Sequence, residues 1–209
     1  MSDFALTESG STAEPLDPNT ELHPLRPFIP ESPAQLLMLG SFPPPRKRWT
    51  MDFFYPNYLN DMWRIFGVVF KGEKDFFVDL PKKTFKLGLI KDLLNEKGIA
   101  IFDTATAVVR LQGNASDKFL RVVRPTDVSA LLQAMPSCRN ICATGEKSAD
   151  TVCNLFSVKV PRVGEYVVVG DKSNELRIYR MPSSSRAYPL ALSQKAEAYK
   201  KMFSEIGIL

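Results

Sequence analysis

Two loops carry the side chains best placed for chemistry. Gly40-Ser41-Phe42-Pro43-Pro44 directly follows the apolar run Leu36 to Leu39, and Met181-Pro182-Ser183-Ser184-Ser185 directly follows Leu176 to Tyr179. Apolar runs bounded by Gly, Pro and Ser read as buried strands, and in an open α/β sheet ligands bind at the loops leaving strand C-termini. Each loop is therefore a stiff, hydroxyl-bearing candidate for a site. The chain has a single histidine, His23, near its N-terminus. That count removes histidine-dependent triads, paired-histidine zinc sites and most histidine acid–base schemes. The chemistry left belongs to Asn, Asp, Ser, backbone groups and water. The three cysteines, Cys138, Cys142 and Cys153, have no C-x-x-C spacing and read as reduced core thiols. Neither G-x-G-x-x-G nor G-x-x-x-x-G-K-[ST] is present, which weighs against nucleotide cofactors.

These loops need a scaffold, and the periodicity supplies one. Asn60-Asp61 precedes apolar residues at helical spacing (Met62, Trp63, Phe66, Val69, Phe70). A second helix is expected over Thr84 to Lys97, closed by Gly98, with Ile99 to Phe102 following as a strand. Thr126 is expected to cap a helix through Met135. Asn140 to Ala143 reads as a third strand, and Glu146 to Phe156 as a further helix. Tyr166 to Val169 and Leu176 to Tyr179 suit a hairpin, and a last helix runs from about Leu190 to Gly207. Alternating strands and helices predict an α/β domain with a parallel sheet.

A chain of 209 residues, 44% hydrophobic and 24% charged, matches one ordinary soluble domain. Residues 1–33 hold six acids against one base, a net −5 within a total of +4, so the remainder carries +9. The segment lacks periodicity and reads as a flexible acidic leader, with the domain beginning at residue 34. A basic body is a hint of a polyanionic partner. No apolar run reaches membrane-spanning length and the N-terminus has no signal-peptide pattern, which points to a cytoplasmic protein.

Five segments occur in order: Gly40 to Pro44; Phe53-Phe54-Tyr55 with Asn60 three residues before Trp63; Gly98 to Asp103; Ala143-Thr144-Gly145; and Met181 to Ser185. Together they resemble the uracil-DNA glycosylase superfamily over roughly residues 34–206, and look closest to the deoxyinosine (hypoxanthine) and mismatch-type branch. The resemblance implies a three-layer α/β/α sandwich around a four-stranded parallel sheet. It also implies hydrolysis of the N-glycosidic bond of a deaminated base, uracil or hypoxanthine, in DNA by a monomer without metal or cofactor.

Such an enzyme extrudes the nucleotide, stacks the base on an aromatic ring and reads its edge in a closed pocket. The resemblance makes Phe42, Phe53, Phe54, Tyr55, Asn57 and Asp103 candidates for base binding, with Asp103 accepting from a base N–H. It makes Arg46, Lys47, Arg48, Thr144, Gly145, Ser183, Ser184, Ser185 and Arg186 candidates for DNA contact, with Arg186 a wedge in the vacated stack. Motif one has Ser41 and Phe42 where relatives carry a water-orienting Asp or Asn, and motif two has Met181 where standard uracil enzymes carry His. Asn60 matches the branch's catalytic Asn and takes the water-orienting role beside Ser41; an Asn there is equally a helix cap. In the same segment Asn57 and Tyr58 replace a His and a Pro. Two other readings stand beside this one: a superfamily member that only binds nucleic acid or a modified base, and a hydrolase using Ser41 or Ser183. The second lacks a G-x-S-x-G elbow.

Overall fold

Four apolar runs become neighbouring strands of one sheet in the computed structural model, which describes residues 17–111, 119–171 and 174–209. The first described strand is Thr20–Leu22 (β1), and the first of the main sheet is Leu36–Gly40 (β2). After helix Met62–Lys71 (α1) come the short strands Val78–Asp79 (β3) and Thr84–Phe85 (β4), then helix Leu87–Lys97 (α2). Ile99–Asp103 (β5), Ala105–Arg110 (β6) and Leu120–Pro125 (β7) follow, then helix Val128–Gln133 (α3) and strand Asn140–Thr144 (β8). Helix Glu146–Leu155 (α4), strands Tyr166–Val169 (β9) and Leu176–Met181 (β10), and helix Leu192–Glu205 (α5) complete the order.

The main sheet runs β5-β2-β8-β10-β9. β5, β2, β8 and β10 are parallel, and β9 pairs antiparallel with β10. The expected four-stranded parallel sheet is thus a five-stranded mixed one. Every residue of β2 and of β5 is buried, the continuous apolar pattern of strands covered on both faces. β9 alternates between exposed and half-buried positions, as suits an edge.

The helices form where the spacing predicts, with two corrections at their starts. α1 and α2 end at Gly72 and Gly98 in the left-handed region, φ +68° and +62°, conformations glycine adopts without a Cβ clash. α2 begins at Leu87, because Thr84 and Phe85 pair with β3 instead. α3 is capped by Asp127, which accepts from the Ala130 N–H at 2.9 Å; the Thr126 hydroxyl, expected to cap, donates to the Asp103 carbonyl at 2.6 Å. α1 and α5 pack through Phe66 and Phe70 against Phe203, with centroids 5.5 and 4.8 Å apart. Aromatic pairs of this kind contribute about 0.5–1.5 kcal/mol beyond their burial.

A second sheet was not expected. β1, β6 and β7 form an antiparallel ribbon, with β1 pairing Thr20 to Val109 and Leu22 to Ala107. Phe28 donates its N–H to the Ile101 carbonyl at 2.9 Å and accepts the Ile101 N–H at 3.0 Å. Residues 17–33 are therefore laid along the domain rather than forming a leader; the expected leader's residues 1–16 lie outside the described residues. The local acidity has partners: Glu21 pairs with Arg110 at 3.0 Å, and Asp17 with Arg121 at 2.7 Å.

All three cysteines are free and buried, and burial raises each thiol above its ordinary pKa. Thiolates are the reactive form. An aromatic disulfide reagent should therefore label none of the three in the native protein within minutes and all three in denaturant. Among the described residues no helix is long and apolar enough to cross a membrane.

Candidate active site

Because β2, β5, β8 and β10 are parallel, Gly40, Asp103, Thr144 and Met181 end them on one edge of the sheet. The loops leaving that edge enclose a cleft of about 610 Å³. That size suits a nucleoside-scale ligand, and its place at the strand C-termini is where open α/β sheets bind ligands.

The floor is built on a missing side chain. A Cβ on Gly40 would lie 2.3 Å from Asp103 Oδ1, so the neighbouring carboxylate occupies the space glycine leaves. Asp103 is 7% exposed and is the one acid among the described residues that line the cleft. His23, with a side chain only 3% exposed, lies against it, Nε2 2.9 Å from Asp103 Oδ2. An ionised carboxylate only accepts, so Nε2 carries the proton and donates. The other ring nitrogen, Nδ1, sits 3.1 Å from the Leu25 N–H and 2.9 Å from the Leu25 carbonyl. The backbone of His23 is held by its N–H donating to the Thr106 carbonyl at 2.9 Å. Its ring packs among Phe42, Phe54 and Phe102, at centroid distances of 5.3, 6.2 and 4.6 Å. Thr126 fixes the backbone of Asp103 from behind.

Aromatic residues wall the cleft. Phe42, Phe54 and Tyr55 line it, whereas Phe53 packs against Phe28 and Trp63 in the core and is not among the lining residues. Trp63 anchors this loop by donating its indole N–H to the Phe54 carbonyl at 3.1 Å. Tyr55 has φ +50°, a strained conformation for a residue with a Cβ. Its hydroxyl lies 2.9 Å from Thr144 Oγ1, which donates to the Leu39 carbonyl at 3.2 Å. Strain at Tyr55 is thus held by a contact between the first loop and the third parallel strand.

The serine loop forms the opposite lip. Ser183, Ser184 and Ser185 all line the cleft, and Ser183 Oγ accepts from the Ser185 N–H at 3.2 Å. Two buried groups brace the loop from below. Lys195 Nζ donates to the Ser185 carbonyl at 2.8 Å and to Asp61 Oδ2 at 3.1 Å, while Asp61 donates its backbone N–H to the Ser184 carbonyl at 2.9 Å. Arg186, expected on DNA, directs Nε to Asp61 Oδ1 at 3.0 Å. Met181 is 1% exposed and offers no polar atom to the cleft. Gly145 caps α4 at φ +104° with Ser183 against it; it is not among the lining residues, while Thr144 is.

Of the remaining expected residues, Ser41, Asn57 and Asn60 line the cleft. Asn60 Oδ1 accepts from the Met62 N–H at 2.9 Å, so the amide oxygen serves the start of α1. In the basic turn Arg46–Arg48 only Arg48 reaches the cleft. Arg46 stacks over Trp49 at 4.4 Å and pairs with Asp52, and Lys47 is exposed beside them. Each of the five expected motifs contributes at least one lining residue, while Phe53, Gly145 and Met181 stay outside the lining, and His23 is added behind Asp103. Its sequence signal was faint: one short alternation, Thr20-Glu21-Leu22, ahead of a proline-rich stretch.

No family model matches the chain, and none of the curated proteins does. Among solved structures, it is similar to the solution NMR structure of a Methanosarcina acetivorans protein provisionally described as a uracil DNA glycosylase. The match has a TM-score of 0.53 at 22% identity and covers 85% of this chain and 93% of that one. The two chains share a fold.

Proposed function

We propose that this chain is a monofunctional DNA glycosylase of the uracil-DNA glycosylase superfamily, hydrolysing the N-glycosidic bond of uracil or hypoxanthine in DNA. The observation that carries the reading is the cleft itself: a buried carboxylate, Asp103, at the floor of a nucleoside-sized pocket walled by Phe42, Phe54 and Tyr55, at the C-terminal edge of a parallel sheet. The shared fold with a protein provisionally described as a uracil DNA glycosylase supports it. The superfamily's three-layer sandwich and its deoxyinosine branch belong to the same proposal.

In this mechanism the extruded base stacks on an aromatic wall residue while Asp103 accepts an N–H from its edge. As the bond breaks, the sugar becomes cationic and the base anionic, so a positioned water and donors aimed at the base lower the barrier. Asn60 and Ser41 hold the water, the Asn60 amide being oriented by the Met62 N–H that its oxygen accepts. Backbone N–H groups, Ser183 and Asn57 stabilise the departing base in place of the histidine that Met181 replaces. Arg48, Ser183, Ser184 and Ser185 contact the DNA backbone around the cleft, with Lys47 and Arg46 on the approach.

The buried Met181 and the engaged Asn60 oxygen favour one second reading, a member that binds a modified base without releasing it. The serine-hydrolase alternative has no support here, since both nitrogens of His23 are occupied by Asp103 and Leu25 rather than a serine. Duplex and single-stranded oligonucleotides bearing uracil, hypoxanthine, xanthine or mismatched thymine separate these readings. The glycosylase reading expects strand breaks at the lesion only after hot alkali. Lesion-selective binding with no breaks on any substrate supports the binding-only reading instead.

A further inference from the structure

We infer that His23 is a positioning residue for base recognition: its Nε2–H locks Asp103 so that one carboxylate oxygen is held for the edge of the extruded base, making the segment around β1 part of the site. This rests on the proposed reading of Asp103 as a base-edge acceptor. The geometry carries the rest. Asp103 is short, and its two oxygens have different surroundings: one is hydrogen-bonded and the other stands over a glycine. Oδ2 accepts from His23 at 2.9 Å, while Oδ1 occupies the space above Gly40. Without the imidazole donor, the carboxylate is free to rotate about its Cα–Cβ bond, and an acceptor that must be found at the moment of binding discriminates less than one already aimed.

The placement of His23 is itself over-determined. Pairing of β1 with β6, the His23 N–H to the Thr106 carbonyl, and three aromatic neighbours fix the ring. Nδ1 lies between the N–H and the carbonyl of Leu25, so it is satisfied whether it accepts or donates. Nε2 therefore remains a donor to Asp103 in either protonation state of the ring. A neutral donor–carboxylate bond or a charge-assisted one both hold the acceptor in place.

The chemistry selects bases with an N–H on the edge they present. Uracil offers N3–H and hypoxanthine offers N1–H; methylation at that nitrogen deletes the donor and leaves Asp103 unpaired. Sites built to hydrogen-bond a group reject analogues that lack it strongly.

The test uses the full chain and duplexes carrying 2′-fluoro-2′-deoxyuridine or 2′-fluoro-2′-deoxyinosine, whose fluorine suppresses base departure, beside their N3- or N1-methylated counterparts. For at least one base, the wild type should bind the unmethylated probe at least about tenfold more tightly. His23→Phe keeps an aromatic ring among Phe42, Phe54 and Phe102 but removes the donor. It should bring that ratio close to one with unchanged affinity for undamaged duplex, and His23→Gln, which restores an N–H, should recover part of it. A second readout needs no variant: with imidazole nitrogens labelled in the wild type, the preferred unmethylated probe should shift the His23 Nε2–H resonance and its methylated form should not. Wild-type discrimination retained in His23→Phe, no discrimination in the wild type, or an unmoved resonance would each overturn the inference. Base release from the unfluorinated duplexes is scored separately. A wild type that discriminates but releases nothing loses the glycosylase reading and keeps this one.

Discussion

Gly40→Ala should abolish most base release while leaving the protein folded. The added Cβ would meet Asp103 Oδ1 at 2.3 Å, well inside van der Waals contact, and the carboxylate is the movable partner. Moving it breaks the bond to His23 and drives the acceptor out of its place on the floor. A misplacement of about 1 Å in a reacting constellation is enough to cost roughly a hundredfold in rate. The backbone at Gly40 is ordinary strand, so the thermal midpoint should fall only by the few degrees that about 1 kcal/mol represents. Single-turnover base release and a melting curve on the same preparation check both halves. Unchanged release would mean that the carboxylate is not used where it lies.

Lys195→Met should be the most destabilising single change outside the apolar core. Lys195 is 1% exposed, and its ammonium joins Asp61 to the Ser185 carbonyl beneath the serine loop. Removing one partner of a buried pair leaves the other charged and desolvated, typically a loss of about 3–5 kcal/mol. For a domain of this size that is roughly 10 °C in melting temperature. Asp61 retains Arg186, whose side chain is 46% exposed, so part of the penalty is offset from the solvent side. Asp61→Asn combined with Lys195→Met should recover some of the loss, because the uncompensated charge is gone. Differential scanning calorimetry of the two single variants and the double variant measures it. Additive losses would show that Lys195 and Asp61 are not coupled.

What could be read from the chain follows from the range of the interactions involved. Leu36 to Leu39 and Ile99 to Phe102 are legible because strands buried on both faces leave uninterrupted apolar runs. Parallel strands then place their following loops together, so the motif ends Gly40, Asp103 and Thr144 meet without any further information. Gly72 and Gly98 stop their helices through local backbone preference alone. The ribbon of β1, β6 and β7 was not legible, since Thr20–Leu22 is three residues long and pairs with Ala107 to Val109, far along the sequence. His23 escaped for the same reason: a lone histidine among prolines acquires its role only from Asp103, 80 positions on. Thr126 and Asp127 are both good caps, and tertiary demand at the Asp103 carbonyl decided between them. Arg186 reads as an exposed cation, and its pairing through Nε with Asp61, 125 positions earlier, carries no local signal. Asn60 shows how close a local reading can come: the cap position of α1 falls one residue later, at Asp61, while the Asn60 oxygen takes the Met62 N–H and its amide borders the cleft.

The most direct measurement is chromatographic quantification of the free base released in a single turnover from the preferred lesion-bearing duplex by the wild type and by Asp103→Ala. The wild type should release one base per lesion with the phosphodiester backbone intact until alkali is added. Asp103→Ala should be slower by about 10²-fold or more, the scale on which a preorganised polar group acts at a reacting centre. No base released by the wild type, or equal rates from both proteins, would contradict a glycosylase built on the carboxylate at the end of β5.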